Sequence, residues 1–297
     1  MKGRALAALG RWVDAPQPIE RLAFLRIVIP LATLGFLSSR LIHAPDWLGT
    51  RAFHVPCLGH EDWRQAACLP ALPDALAWAI AIATVIAGVA LAIGFLTRAA
   101  ALAFASLVIY LVLSDRLEAF TVTKIAPALS LALAASACGA RYGVDAWRAR
   151  RKAGAGAQPT HARGGVIRFF QVFLIVMYSG SGLAKLRGGW LSSDVLWSHV
   201  HDDYQSWVAW TLVRILPGAG WQALQYLTLA FEVGAPLWFA YRRTRLPALF
   251  VGLGMHAMIG LMFGPVVWFA LLMAGLLVGS YAPEAWLLRL FRARAAA

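Results

Sequence analysis

Long apolar runs alternate with short polar breaks along this chain. The runs are continuous and do not switch polarity at every second residue, so they predict helices and not the strands of a barrel. Eight stretches qualify, at residues 22–39, 76–96, 99–113, 125–140, 167–186, 222–240, 246–263 and 266–281. Several approach the roughly 20 residues that a helix needs to cross a bilayer. The third, fourth and eighth are short. The last two are kept apart at Gly264-Pro265, because one span of their combined length would overshoot the hydrocarbon layer. The expected fold is an all-α integral membrane bundle of about eight transmembrane helices, forming a single domain over residues 1–297.

Composition supports a membrane protein. The sequence is 60% hydrophobic and 14% charged, against about 45–50% and about 25% in soluble domains. The net charge of +13 would suit nucleic acid, but its distribution argues for a lipid bilayer as partner instead. With the N-terminus inside, most of the 27 basic residues fall in inner segments, including Arg148, Arg150, Arg151 and Lys152, while acids are spread mainly over the outer ones. This is the positive-inside pattern and predicts an N-in/C-in topology. Residues 1–21 are basic and broken by Pro16 and Pro18, and no cleavable signal peptide is expected.

The segments between spans differ in character. Residues 149–165 read as a basic, flexible cytoplasmic linker that divides the spans four and four. The outer segment 187–221 is crowded with aromatic residues and histidines, from Trp190 and Trp197 to Trp207 and Trp210, and is expected to form a cap on the bilayer. Cys57 and Cys68 share the other long outer segment and are candidates for a disulfide; two unpaired loop thiols are the alternative. Cys138 reads as a packing residue. His199-Val-His201-Asp202-Asp203 could ligate a metal on an extended segment, but such residues are ordinary in a polar loop, and no metal is expected.

Ionisable residues inside apolar runs carry the functional signal, because they are costly to bury. Arg26 lies about a turn into the first span; snorkelling to the interface is the favoured reading, and pairing with a lipid phosphate or an acid is the alternative. Glu232 lies about ten residues below the outer end of its span, roughly 15 Å deep at the helical rise. His256 sits at similar depth in the seventh span, with Gly252 and Gly260 one turn to either side. In the fifth span Tyr178, Ser181 and Lys185 share a face, and the lysine closes the run before Trp190. Each alone is as well explained by a structural hydrogen bond or a snorkelling anchor. Together they outline a pocket in which a desolvated lysine could act as a base and histidine could relay a proton.

The same residues carry a resemblance. Tyr178, Gly182, Lys185, Leu186 and Trp190 fit without a gap the Tyr-x-x-x-Gly-x-x-Lys-Leu-x-x-x-Trp pattern of the vitamin K-dependent gamma-carboxylases. Glu232, Arg245 and His256 follow in the family's order. Arg21-Leu-Ala-Phe-Leu-Arg26 and Arg141-Tyr-Gly-Val-Asp145 are similar to further segments. The chain thus resembles the transmembrane, or HTTM, domain of that family over nearly its whole length. The resemblance implies a bacterial inner-membrane protein with its active face periplasmic or extracellular. It also implies Lys185 as the base, with His256, Glu232, Tyr178 and Trp190 in the pocket. The implied cofactor is a reduced, vitamin K-like quinone, with oxygen and carbon dioxide as co-reactants of a carboxylase-type lyase. Residues 120–124 read Phe-Thr-Val-Thr-Lys where the carboxylases carry a histidine. Those enzymes also have a large soluble domain after their helices, whereas this sequence ends at Ala297, so propeptide-directed carboxylation is not expected. Some bacterial relatives assist maturation of secreted peptides. A non-catalytic factor for maturation, export or immunity of a secreted peptide is the alternative.

Overall fold

The computed structural model describes residues 2–49, 69–114, 120–153, 158–191, 194–200 and 206–293. Cys57 and Cys68 lie outside these residues. The described chain is almost entirely helical and divides into two compact units. One comprises residues 1–166 and 284–297, the other residues 167–283.

The first unit begins with α1 (Lys2–Asp14), which leads through the two-residue strand β1 (Gln17–Pro18) into α2 (Ile19–Leu41). A single turn, α3 (Ala44–Leu48), follows. The bundle is completed by α4 (Asp74–Ile93), α5 (Thr97–Ser114) and α6 (Thr121–Ala134). Next come α7 (Val144–Ala153) and β2 (His161–Ala162), which pairs antiparallel with β1. The segment expected to be a flexible linker therefore opens as helix, with α7 running to Ala153. The core between α2, α4 and α5 is built from small and aliphatic residues around Phe104. Gly88 permits this close packing, since a Cβ there would sit 2.7 Å from Leu34 and 2.8 Å from Phe104.

Arg26 corrects the snorkelling expectation. Its side chain is fully buried, and its guanidinium donates to the carbonyl oxygens of Cys138 (2.9 Å), Arg141 and Tyr142. These carbonyls belong to the turns between α6 and α7, where buried backbone acceptors need partners from outside a helix ladder. A fork-shaped cation satisfies several at once, which a lone ammonium does less well. The guanidinium also lies against Gly94 and Gly143, where a side chain would collide with it. The Arg141–Asp145 segment is fastened on both flanks. Arg141 and Tyr142 donate to Glu20 at 3.0 and 2.9 Å, and Asp145 accepts from the backbone and hydroxyl of Thr97 and from the Leu96 amide.

The second unit holds α8 (Gly165–Arg187), α9 (Val195–Val200), α10 (Trp207–Ile215), α11 (Gly218–Ala240), α12 (Arg242–Met262) and α13 (Val267–Tyr281). A short 3₁₀ turn, Gly264–Val266, separates α12 from α13 at the expected break. The described residues of the aromatic-rich segment between α8 and α11 include two short helices. Val200, Ala209, Trp221 and Met262 bury together and hold them to the bundle. Ser206 caps α10, accepting from the Ala209 amide and donating to the Leu261 carbonyl. The last described helix, α14 (Glu284–Ala293), belongs to the first unit.

Each predicted stretch overlaps a helix, although the fourth runs past the end of α6 at Ala134. Among the described residues five helices are long and apolar enough to cross a membrane: α2, α4, α5, α8 and α12. A sixth is reached if α13 is counted with the helix after it. Among the others, α6 and α13 are short, and α11 is diluted by Gln222, Gln225 and Glu232.

Candidate functional site

Small residues set up the site. Gly180, Ser181 and Gly182 make one turn of α8 slim, and Gly182 faces α11. At Gly182 the backbone of α11 comes so close that a Cβ would lie 2.8 Å from the Val233 nitrogen and 3.1 Å from the Glu232 carbonyl carbon. That approach brings Lys185, one turn further along, onto the Glu232 carboxylate. Its Nζ lies 2.6 Å from both carboxylate oxygens and donates to Ser181 Oγ at 2.9 Å. The lysine is 22% exposed and the glutamate 8%. An ion pair in so sheltered a position survives only with its remaining donors and acceptors engaged.

Trp190 covers the ammonium, which sits 5.2 Å from the ring centroid. The indole is fixed by Gln225. Trp190 Nε1 donates to the Gln225 carbonyl, while Gln225 Nε2 donates to the Trp190 carbonyl and its Oε1 accepts from the Leu196 amide. This bridging role of Gln225 was missed in the sequence. The available signal was a glutamine inside an apolar helix.

Lys185, Glu232 and Trp190 open onto one cavity of about 470 Å³. Its walls are apolar, drawn largely from α11 and α12, with Phe231, Met255 and Met258 among them; His199 also contributes. His199 Nδ1 donates to the Val195 carbonyl at 2.7 Å. In a neutral ring this leaves Nε2 as an acceptor. A mainly apolar cavity with a few convergent polar groups is the usual form of a small-molecule site.

Tyr178 and His256 form a second cluster. Both are buried, with the Tyr178 hydroxyl 2.8 Å from His256 Nε2. Neither lines the cavity. Phe231 links the clusters, because it lines the cavity and packs edge-on against the Tyr178 ring at 5.0 Å. His256 Nδ1 is buried without a hydrogen-bond partner in the structure. Among the described residues no group of histidine, cysteine and carboxylate side chains could hold a metal. His201, Asp202 and Asp203 lie outside them.

Several helices of membrane-spanning length and apolarity, with a polar cluster held inside one unit, define a multi-pass membrane protein. The family model of the HTTM domain matches residues 22–282, nearly the whole chain, and the protein belongs to that family. No curated protein and no solved structure matched the chain.

Proposed function

We propose that this HTTM protein is an integral-membrane enzyme of the carboxylase/epoxidase type, acting on a quinone-like ligand in the Lys185 cavity. The observation that carries this reading is the Lys185–Glu232 pair on the wall of an apolar cavity. The cavity fits the ligand class, with apolar walls for a ring and tail and a cation, carboxylate and imidazole for hydroxyl or carbonyl groups. A reduced quinone bound there would supply the reducing equivalents for chemistry with oxygen.

The chain's own part is proton handling and exclusion of water. The Lys185 ammonium gives a proton to Glu232, leaving a neutral amine beside a neutral acid. Nζ then takes a proton from a ligand hydroxyl, which leaves the ligand as an oxyanion beside the Lys185 ammonium while Glu232 keeps the first proton. Trp190 and Gln225 hold Nζ in place, and Phe231 with the methionines keeps the cavity dry. The proposed setting is an eight-span, N-in/C-in protein of a bacterial inner membrane, with the cavity toward the periplasmic face. The loop charges support this orientation.

One observation favours a second reading, that of a non-catalytic factor for a secreted peptide. The ammonium already has a carboxylate and a hydroxyl in hand, as a purely structural link would. Oxygen consumption by the purified protein with a reduced quinone separates the two. The enzyme reading expects turnover that Lys185→Met abolishes at unchanged membrane expression. Full turnover in Lys185→Met would remove Lys185 as the base. No turnover by the wild-type protein with any reduced quinone, and no quinone in the purified material by mass spectrometry, would leave the second reading.

A further inference from the structure

We propose that α1, α7 and α14 form a collar lying in the plane of the membrane, which binds the phosphate groups of anionic lipids at the N-terminal end of α2. All three helices belong to the first unit, and the inference is independent of the cavity. Each is fastened to the same place. α1 leads through β1 into α2, and β1 pairs with β2, beyond α7. The residues just before α7 grip Glu20 in the first turn of α2 through Arg141 and Tyr142. Phe291 of α14 stacks on Tyr142 with centroids 4.4 Å apart.

The exposed faces combine two properties. The first is apolar surface. Leu6 and Leu9 of α1 are 69% and 55% exposed and lie on one side of the helix, with Arg11 on the other. In α14, Leu287 and Phe291 are buried while Leu290 is 50% exposed. The second property is positive charge. Arg148, Arg150, Arg151 and Lys152 stand together on α7, the Arg151 guanidinium 4.1 Å over the half-exposed Trp147 ring. Asp145 attracts Arg148, one turn along the helix, and two acids of this unit are engaged elsewhere. Glu20 is buried and engaged by Arg141 and Tyr142, and Asp145 is engaged by Leu96 and Thr97.

These properties select the partner. A polyanion such as nucleic acid would account for the charge but would leave Leu6, Leu9 and Leu290 against water. A bilayer interface accounts for both, since the leucines reach the acyl boundary and the guanidinium and ammonium groups meet phosphate. The positive-inside pattern alone requires only charge in the segment and no in-plane helix.

The test uses the full chain in nanodiscs of phosphatidylcholine, with or without phosphatidylglycerol. Leu9→Cys, in a chain with Cys57, Cys68 and Cys138 changed to alanine, carries an environment-sensitive fluorophore. The expected result is quenching by lipids brominated near the carbonyl end and protection from aqueous iodide. Full iodide quenching without lipid quenching would overturn the collar. Lipid titration followed by native mass spectrometry needs no label. The wild-type chain should prefer phosphatidylglycerol, and the triple variant Arg150→Ala, Arg151→Ala, Lys152→Ala should lose that preference by roughly fivefold or more per residue. Arg151→Lys should keep most of it. An undiminished preference in the triple variant, at unchanged size-exclusion behaviour, would show that α7 does not hold the headgroups. Binding of nucleic acid by α7 with the Leu9 probe in water would replace the membrane as partner.

Discussion

The Tyr178 hydroxyl and His256 Nε2 are 2.8 Å apart in a place that water does not reach. Either atom loses a buried partner if the other is removed. Tyr178→Phe should therefore destabilise the protein by about 1–3 kcal/mol, the cost of an unsatisfied buried polar group. Thermal unfolding in detergent checks the value. The double variant Tyr178→Phe, His256→Leu should cost less than the sum of the two single changes, and strict additivity would show that the hydrogen bond contributes nothing.

The Lys185–Glu232 pair predicts a similar non-additivity on a larger scale. Lys185→Met strands a carboxylate and Glu232→Gln strands an ammonium, each at about 3–5 kcal/mol. Lys185→Met with Glu232→Met removes both charges and should recover most of that loss. Stability and turnover then separate, because the double variant should be folded and inactive. An active double variant would exclude both residues from the chemistry.

Gly182 is expected to tolerate no side chain. Gly182→Ala places a methyl group 2.8–3.1 Å from the α11 backbone at Glu232 and Val233, which cannot swing aside as a side chain would. The helices must part, and the Lys185–Glu232 bond should lengthen. A loss of stability of about 1–3 kcal/mol is expected for such overpacking. A structure of the variant with the 2.6 Å contact intact would contradict this.

Asp145 gives a pH dependence. Burial alone would raise its carboxyl, but hydrogen bonds from the Thr97 hydroxyl, the Thr97 amide and the Leu96 amide outweigh it and hold the group below its ordinary 3.8. Its contribution to stability is therefore complete above the unfolded carboxyl's value and is lost as pH falls through the lower folded value. Wild-type and Asp145→Asn proteins should differ most near neutral pH and converge in acid. A constant difference from pH 6 to pH 3 would rule this out.

Arg26→Lys should not rescue Arg26→Met. One ammonium cannot span the Cys138 and Tyr142 carbonyls as the guanidinium does, so both variants should lose several kcal/mol of stability. Equal stability of Arg26→Lys and wild type would mean that the charge alone suffices.

Much of this architecture is legible in the sequence because apolar runs set helix positions directly. The predicted stretches begin and end within a few residues of α2, α4, α5, α8, α11, α12 and α13. α6 ends earlier than expected, at Ala134, because the chain turns there to present its carbonyls to Arg26. The fate of Arg26 could not be read locally, since its partners lie more than 110 residues away. The helices α1, α9 and α10 are too short or too polar to stand out as spans, so their segments read as tails and loops. At the site, similar depth suggested Glu232 and His256 as companions with Lys185 at the end of its span, whereas the structure sets Glu232 against Lys185. Depth did not reveal that Tyr178, on the lysine's own helix face, reaches His256 and not the cavity.

The first unit is discontinuous in the chain. Its final helix, α14, is made only after every residue of the second unit has been synthesised. Until then the sites that Leu287 and Phe291 fill, including the stack on Tyr142, stand open. Assembly of the first bundle is thereby tied to synthesis of the residues that follow the second unit. A chain stalled or cut after Pro283 would carry all its long apolar helices and still present an unfinished first unit to the quality-control proteases of the membrane.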